Sequence, residues 1–89
     1  MNSKTTKSFW KYYNKLPKHI KKAAKSSFIA FQENPNNPGL YFKAIFPKER
    51  VYSIRISQAY RALGNKEYKT IKWFWIGNHN DYEKMINRL

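Results

Sequence analysis

The stretch Val51–Leu63, VYSIRISQAYRAL, decides how the rest of the chain must fold. Tyr52, Ile54 and Ile56 alternate with Val51, Ser53 and Arg55, and after a short Ser57-Gln58-Ala59 break Tyr60 and Ala62 alternate with Arg61 and Leu63. Period-two alternation on both sides of a short break predicts a β-hairpin with one apolar face. The opposite face carries Arg55 and Arg61, two guanidiniums held close together by a rigid sheet, which suits an anion. Taken singly, each arginine reads equally well as a solvated strand residue or a structural ion-pair partner.

On the N-terminal side, Leu40–Phe46 (LYFKAIF) alternates in the same way, and Pro47–Arg50 reads as a charged hairpin loop. On the C-terminal side, Gly64–Lys69 reads as a polar turn. Thr70–Gly77 (TIKWFWIG) is apolar on both sides and predicts a central strand buried on both faces. The six residues Asn34–Gly39, with two prolines, form a turn cluster that joins helix to sheet.

Helical spacing flanks these strands. Phe9, Trp10, Tyr13 and Leu16 predict a short helix over 7–15. Pro17 suits the first turn of a second helix that stops at Asn34, before Pro35. Its Ile20, Ala24, Phe28 and Phe31 share one stripe, while Lys18, Lys21, Lys22 and Lys25 share the other. The lysine stripe is either the wet face of a surface helix or a nucleic-acid contact. Tyr82, Met85, Ile86 and Leu89 predict a last helix, with asparagines at its start as caps. Short links imply antiparallel neighbours. The fold class is therefore α+β: two N-terminal helices packed on a single four-stranded antiparallel sheet, followed by a short C-terminal helix, in one domain spanning residues 1–89.

Composition limits the function. Eighteen Lys and Arg against five Asp and Glu give a net charge of +13, so polyanions are the expected neighbours, either nucleic acid or an acidic protein. With no cysteine, a core this small must hold by packing, and three Trp, seven Tyr and six Phe supply the area. No apolar run approaches a membrane span and no signal region is visible, so the chain reads as cytoplasmic. His19 and His79 are the only histidines and no acidic cluster accompanies them, so neither a metal site nor a cofactor is expected.

The remaining chemistry suits RNA cleavage by the strand's own 2′-hydroxyl. That reaction needs a base, cations over the developing phosphorane charge, and an acid for the 5′-oxygen. Arg55, Arg61, His79 and Tyr82 can divide those tasks. His79 and Tyr82 stand three residues apart at a helix start, where they share a face. Equally, His79 can be a helix terminator and Tyr82 its first core residue.

Three segments together, Leu16-Pro17 through Asn34-Pro35, YSIRISQAYRALG (Tyr52–Gly64) and WFWIGNHNDYEKMI (Trp73–Ile86), resemble the RelE/ParE superfamily of bacterial type II toxins. The resemblance implies two N-terminal helices on one face of a curved antiparallel sheet whose open face is functional. It implies an mRNA endonuclease acting on ribosome-bound message, metal-independent and inhibited by a cognate antitoxin whose acidic or apolar residues cover the site. It places catalysis on Arg55, Arg61, His79 and Tyr82, and RNA binding on Lys43, Ser53 and Tyr41, with Tyr41 stacking on a base. Ser53 stands where some relatives have a lysine, and the short N-terminus implies that their first edge strand is missing here. ParE members share the architecture but inhibit DNA gyrase, and a basic nucleic-acid-binding module without toxicity is a third possibility.

Overall fold

Alternating and aromatic segments become strands, amphipathic segments become helices, and one polar segment without any pattern also becomes a strand. The computed structural model describes residues Met1–Leu89. Its element order is β1 (Asn2–Thr5), α1 (Lys7–Tyr13), α2 (Lys18–Glu33), a 3₁₀ turn (Pro38–Leu40), β2 (Lys43–Phe46), β3 (Val51–Ser57), β4 (Tyr60–Glu67), β5 (Thr70–Asn78) and α3 (His79–Arg88). The five strands form one sheet in the order β1-β5-β4-β3-β2. Every pairing is antiparallel except β1 with β5, which is parallel.

This corrects the four-stranded antiparallel expectation and restores the edge strand expected to be missing. Asn2–Thr5 shows no apolar alternation because backbone groups, rather than buried side chains, hold it in place. Asn2 N–H donates to Lys69 O at 2.8 Å and Thr6 N–H to Trp73 O at 3.0 Å. The indole of the buried Trp73 donates to Ser3 Oγ at 2.7 Å, so β1 also satisfies the polar atom of the largest core side chain.

Two further boundaries shift. The strand expected from Leu40 begins at Lys43, because Asn37 Oδ1 accepts from Gly39 N–H and winds Pro38–Leu40 into a turn ending on left-handed Tyr41 (φ 47°, ψ 45°). Leu40 is buried from that turn instead. The turn expected over Gly64–Lys69 shrinks to Tyr68-Lys69, since β4 runs on to Glu67. Gly64 lies inside the strand because a Cβ there would meet Trp73 Cε3 at 2.8 Å and Ile71 Cγ1 at 2.9 Å.

The core has two layers. Phe9 of α1 and Ile20, Ala24 and Phe31 of α2 pack on Ile54, Ile56, Ala62, Ile71, Trp73 and Ile76 of the sheet. On the opposite face, α3 lays Tyr82 over Val51, Leu63 and Trp75. One irregularity in β5 makes both layers possible. Leu63 pairs with Trp75 while Gly64 pairs with Trp73, so Phe74 is an extra residue in the strand. Trp73 therefore faces α2, with its ring 5.3 Å from both Phe28 and Phe31, and Trp75 turns to α3, 6.4 Å from Tyr82.

Gly64→Ala should lower stability by about 1–3 kcal/mol, because the new methyl would meet backbone and ring atoms that cannot withdraw. Urea unfolding followed by tryptophan fluorescence measures this, and an unchanged midpoint would contradict the close approach of Trp73.

Candidate nucleic-acid interface

The β3–β4 hairpin pairs Arg55 directly with Arg61, and β2 pairs Lys43 with Ser53. All four side chains lie on the sheet face opposite α1 and α2. With Tyr41 they line a groove of about 220 Å³ that has no carboxylate in its wall. Left-handed Tyr41 stands 59% exposed, and the Arg55 guanidinium sits 5.1 Å from the centre of its ring. Like charges directly opposite on a sheet repel, and neither arginine has a carboxylate within ion-pair distance. The one close approach of a basic to an acidic side chain is that of His79 Nε2 to Glu83 Oε1 at 3.8 Å, an ion pair only when the imidazole is protonated.

Backbone oxygens fix Arg61. Its Nη1 donates to Ser57 O at 2.8 Å, Tyr60 O at 2.9 Å and Gln58 O at 3.2 Å, the carbonyls of the hairpin turn. One end of the guanidinium clamps the turn, which leaves its other donors for a ligand. Partial burial lowers the Arg61 pKa, the nearby Arg55 charge lowers it further, and Tyr82 opposes both. Arginine stays protonated at any physiological pH, so the shift expresses an unrelieved positive field rather than a titration.

The structure brings Tyr41, Lys43, Ser53, Arg55 and Arg61 together in the groove. Tyr82, only 8% exposed in the first turn of α3, does not line the groove and packs against Val51, Leu63 and Trp75 on the same face of the sheet. His79 does not line the groove. It opens α3 half exposed, with its ring 5.8 Å from that of Tyr82. Asn78 Oδ1 caps the helix by accepting from Asp81 N–H at 2.8 Å, and His79 N–H donates to Ala59 O at 2.7 Å, tying the helix start to the hairpin tip. The carbonyl clamp on Arg61 has no side-chain signature and was not legible in the sequence. The His79–Glu83 pair was legible as an i,i+4 spacing. No three His, Cys, Asp or Glu side chains converge as metal ligands, and no helix is long and apolar enough to cross a membrane.

The sheet thus carries a helical pair on one face, and a third helix and a basic groove on the other. Residues 18–84 match the model of the ParE-like toxin domain, and the chain belongs to that family. A chain of the RelB–RelE antitoxin–toxin complex from Methanococcus jannaschii superposes with a TM-score of 0.75 at 23% identity, covering 92% of this chain and 96% of that one. The YoeB/ParE toxin from Agrobacterium tumefaciens gives 0.67 at 13% identity, with 89% and 99% covered. The isolated RelE toxin of E. coli gives 0.62 at 15% identity, with 98% and 96% covered. Among curated proteins compared by sequence, none matches.

A cation whose pKa is depressed on folding costs stability wherever it is charged, here at every pH below the strongly alkaline range. Removing Arg55 should therefore leave the protein slightly more stable. Arg55→Gln is expected to raise the thermal midpoint by a few degrees and to abolish the further rise that inorganic phosphate gives the wild type. Thermal unfolding with and without phosphate measures both effects.

Proposed function

We propose that this chain is the toxin of a type II toxin–antitoxin pair and acts as a metal-independent endoribonuclease on ribosome-bound mRNA. The observation that carries this reading is the unpaired Arg55–Arg61 couple, set face to face in a carboxylate-free groove. In the reaction, the 2′-hydroxyl attacks the adjacent phosphorus, a bond to the 5′-oxygen breaks, and a cyclic phosphate and a free 5′-hydroxyl result. The negative charge that builds on the non-bridging oxygens falls between the two guanidiniums. Arg61 is held in advance by its three carbonyls, so it needs no reorganisation.

His79 acts as acid or base for the bridging oxygens, and Tyr82 positions the phosphate or shares the proton transfer. Lys43 holds a neighbouring phosphate and Tyr41 stacks on an exposed base, while Ser53, only 2% exposed, forms the floor of the groove. The antitoxin is a protein segment whose acidic or apolar residues cover the groove and lower the field. The relatives from M. jannaschii and Mycobacterium tuberculosis, each solved as a toxin–antitoxin complex, support such a partner. The ParE-like description of the matched family favours one rival, a protein that inhibits DNA gyrase through surface contacts without cleaving RNA.

Induced expression with primer-extension mapping of message 5′ ends separates the two. New ends within translated regions should appear for the wild type. They should fall about 10²-fold or more in Arg61→Ala and His79→Ala, the scale of a lost proton-transfer or charge-stabilising group. Growth arrest with intact message would place the target on gyrase or another protein.

A further inference from the structure

At the end of the sheet opposite the Gln58-Ala59 tip, the Pro47–Arg50 turn and the Tyr68-Lys69 turn lie side by side, joined by Lys66 N–H donating to Arg50 O at 2.8 Å. Between them is a cleft of about 320 Å³ lined by Pro47, Arg50, Tyr52, Lys66 and Tyr68. Lys66 Nζ lies 5.8 Å from the centre of the Tyr52 ring, which is stacked on Phe42 at 4.9 Å. The cleft thus offers two aromatic rings and two cations with no ion pair on either cation, and Glu49 and Glu67 stand outside its wall, in the adjoining cleft that Arg50, Lys66 and Tyr68 also line.

Its backbone breaks a local rule. Tyr68 opens a two-residue turn between the paired Glu67 and Thr70 with φ 54°, a position that favours glycine or asparagine. Arg50 ends the other turn with φ 56°. The strain at Tyr68 secures no packing, since its side chain is 85% exposed, more than any other large hydrophobic residue. A residue that strains the backbone and buries nothing points to a task at the surface.

We propose that Arg50, Tyr52, Lys66 and Tyr68 form a second docking site, for single-stranded RNA. A base stacks on the free face of Tyr68, while Arg50 and Lys66 hold the flanking phosphates. Stacking platforms combined with cations bind single strands without regard to sequence, because every base has a π face. Lys66 lies five residues from Arg61 along β4, about 17 Å, and the odd separation puts the two side chains on opposite faces of the sheet. Only a strand long enough to pass over the end of the sheet reaches both sites, and a dinucleotide reaches one. Docking here uses neither groove arginine, so it stands apart from the cleavage reading.

The test is fluorescence anisotropy with 2′-O-methylated single-stranded RNA, which cannot be cleaved, in a length that spans the sheet and as a dinucleotide. Tyr68→Gly should weaken binding of the long strand about tenfold, the scale of one lost stacking contact. Binding of the dinucleotide should fall no more than that of the long strand, and the melting temperature should stay the same or rise as the backbone strain is relieved. Tyr68→Phe keeps the ring and should bind like wild type. Arg50→Gly should reduce the slope of log affinity against log salt by about one. Wild-type affinity of Tyr68→Gly for the long strand would overturn the proposal, as would an equal loss in Tyr68→Phe. Tighter binding of polyglutamate than of RNA, lost in Tyr68→Gly, would overturn the assigned ligand. Cleavage by the groove would survive any of these results.

Discussion

The extra residue at Phe74 is the constraint on which the rest of the molecule depends. In a regular strand Ile71, Trp73 and Trp75 would share one face, and the α3 core of Val51, Leu63 and Tyr82 would lose its indole. The bulge sends Trp75 through the sheet to the other side, where it supports Tyr82 and the second small core. Gly77 follows from the same displacement, because a Cβ there would meet the Trp75 ring at 2.6 Å. Tyr82 thereby packs on Trp75, so one inserted residue in β5 sets where α3 rests on the sheet face that carries the groove.

Electrostatics works against this packing. A net charge of +13 on 89 residues is relieved by no lysine or arginine ion pair, and two arginines stand opposed across a strand pair. Apolar and aromatic burial must carry the fold while the groove opposes it. Phe9, Phe28, Phe31 and Trp73 form a continuous set of ring contacts beneath α1 and α2. Any polyanion that settles on the basic faces relieves self-repulsion, so binding and stability are linked with the same sign.

Much of this was legible in the sequence, because side-chain alternation records which face is buried. The Arg55–Arg61 pairing follows from the parity of VYSIRISQAYRAL around its break, and the amphipathic stripe of α2 from its 3.6-residue period. What failed to show was fixed by backbone or by close approach. Asn2–Thr5 pairs through main-chain groups and has no pattern to read. Gly64 carries the mark of a turn, yet it serves as a gap for Trp73. Leu40 keeps the parity of a strand although Tyr41 turns the chain left-handed immediately after it. Of the proposed catalytic residues, the two arginines were placed together by the strand pattern. The separation of His79 from the groove depends on where α3 starts, which sequence spacing does not fix.

The parallel pairing of β1 with β5 joins the two ends of the chain, with Ser3 beside Ile71 and Lys4 beside Lys72. Trp73 and Trp75, which anchor the two core layers, lie close to the C-terminus. During synthesis β1, α1 and α2 emerge with nothing to cover. The sheet remains open on two strands until β5 inserts between β1 and β4. Such distant contacts make assembly slow and concentrate it in one late step. The groove, whose Arg61 is backed by β5 and α3, is complete only after translation of the whole chain, so a truncated product has the charge of this protein without its site.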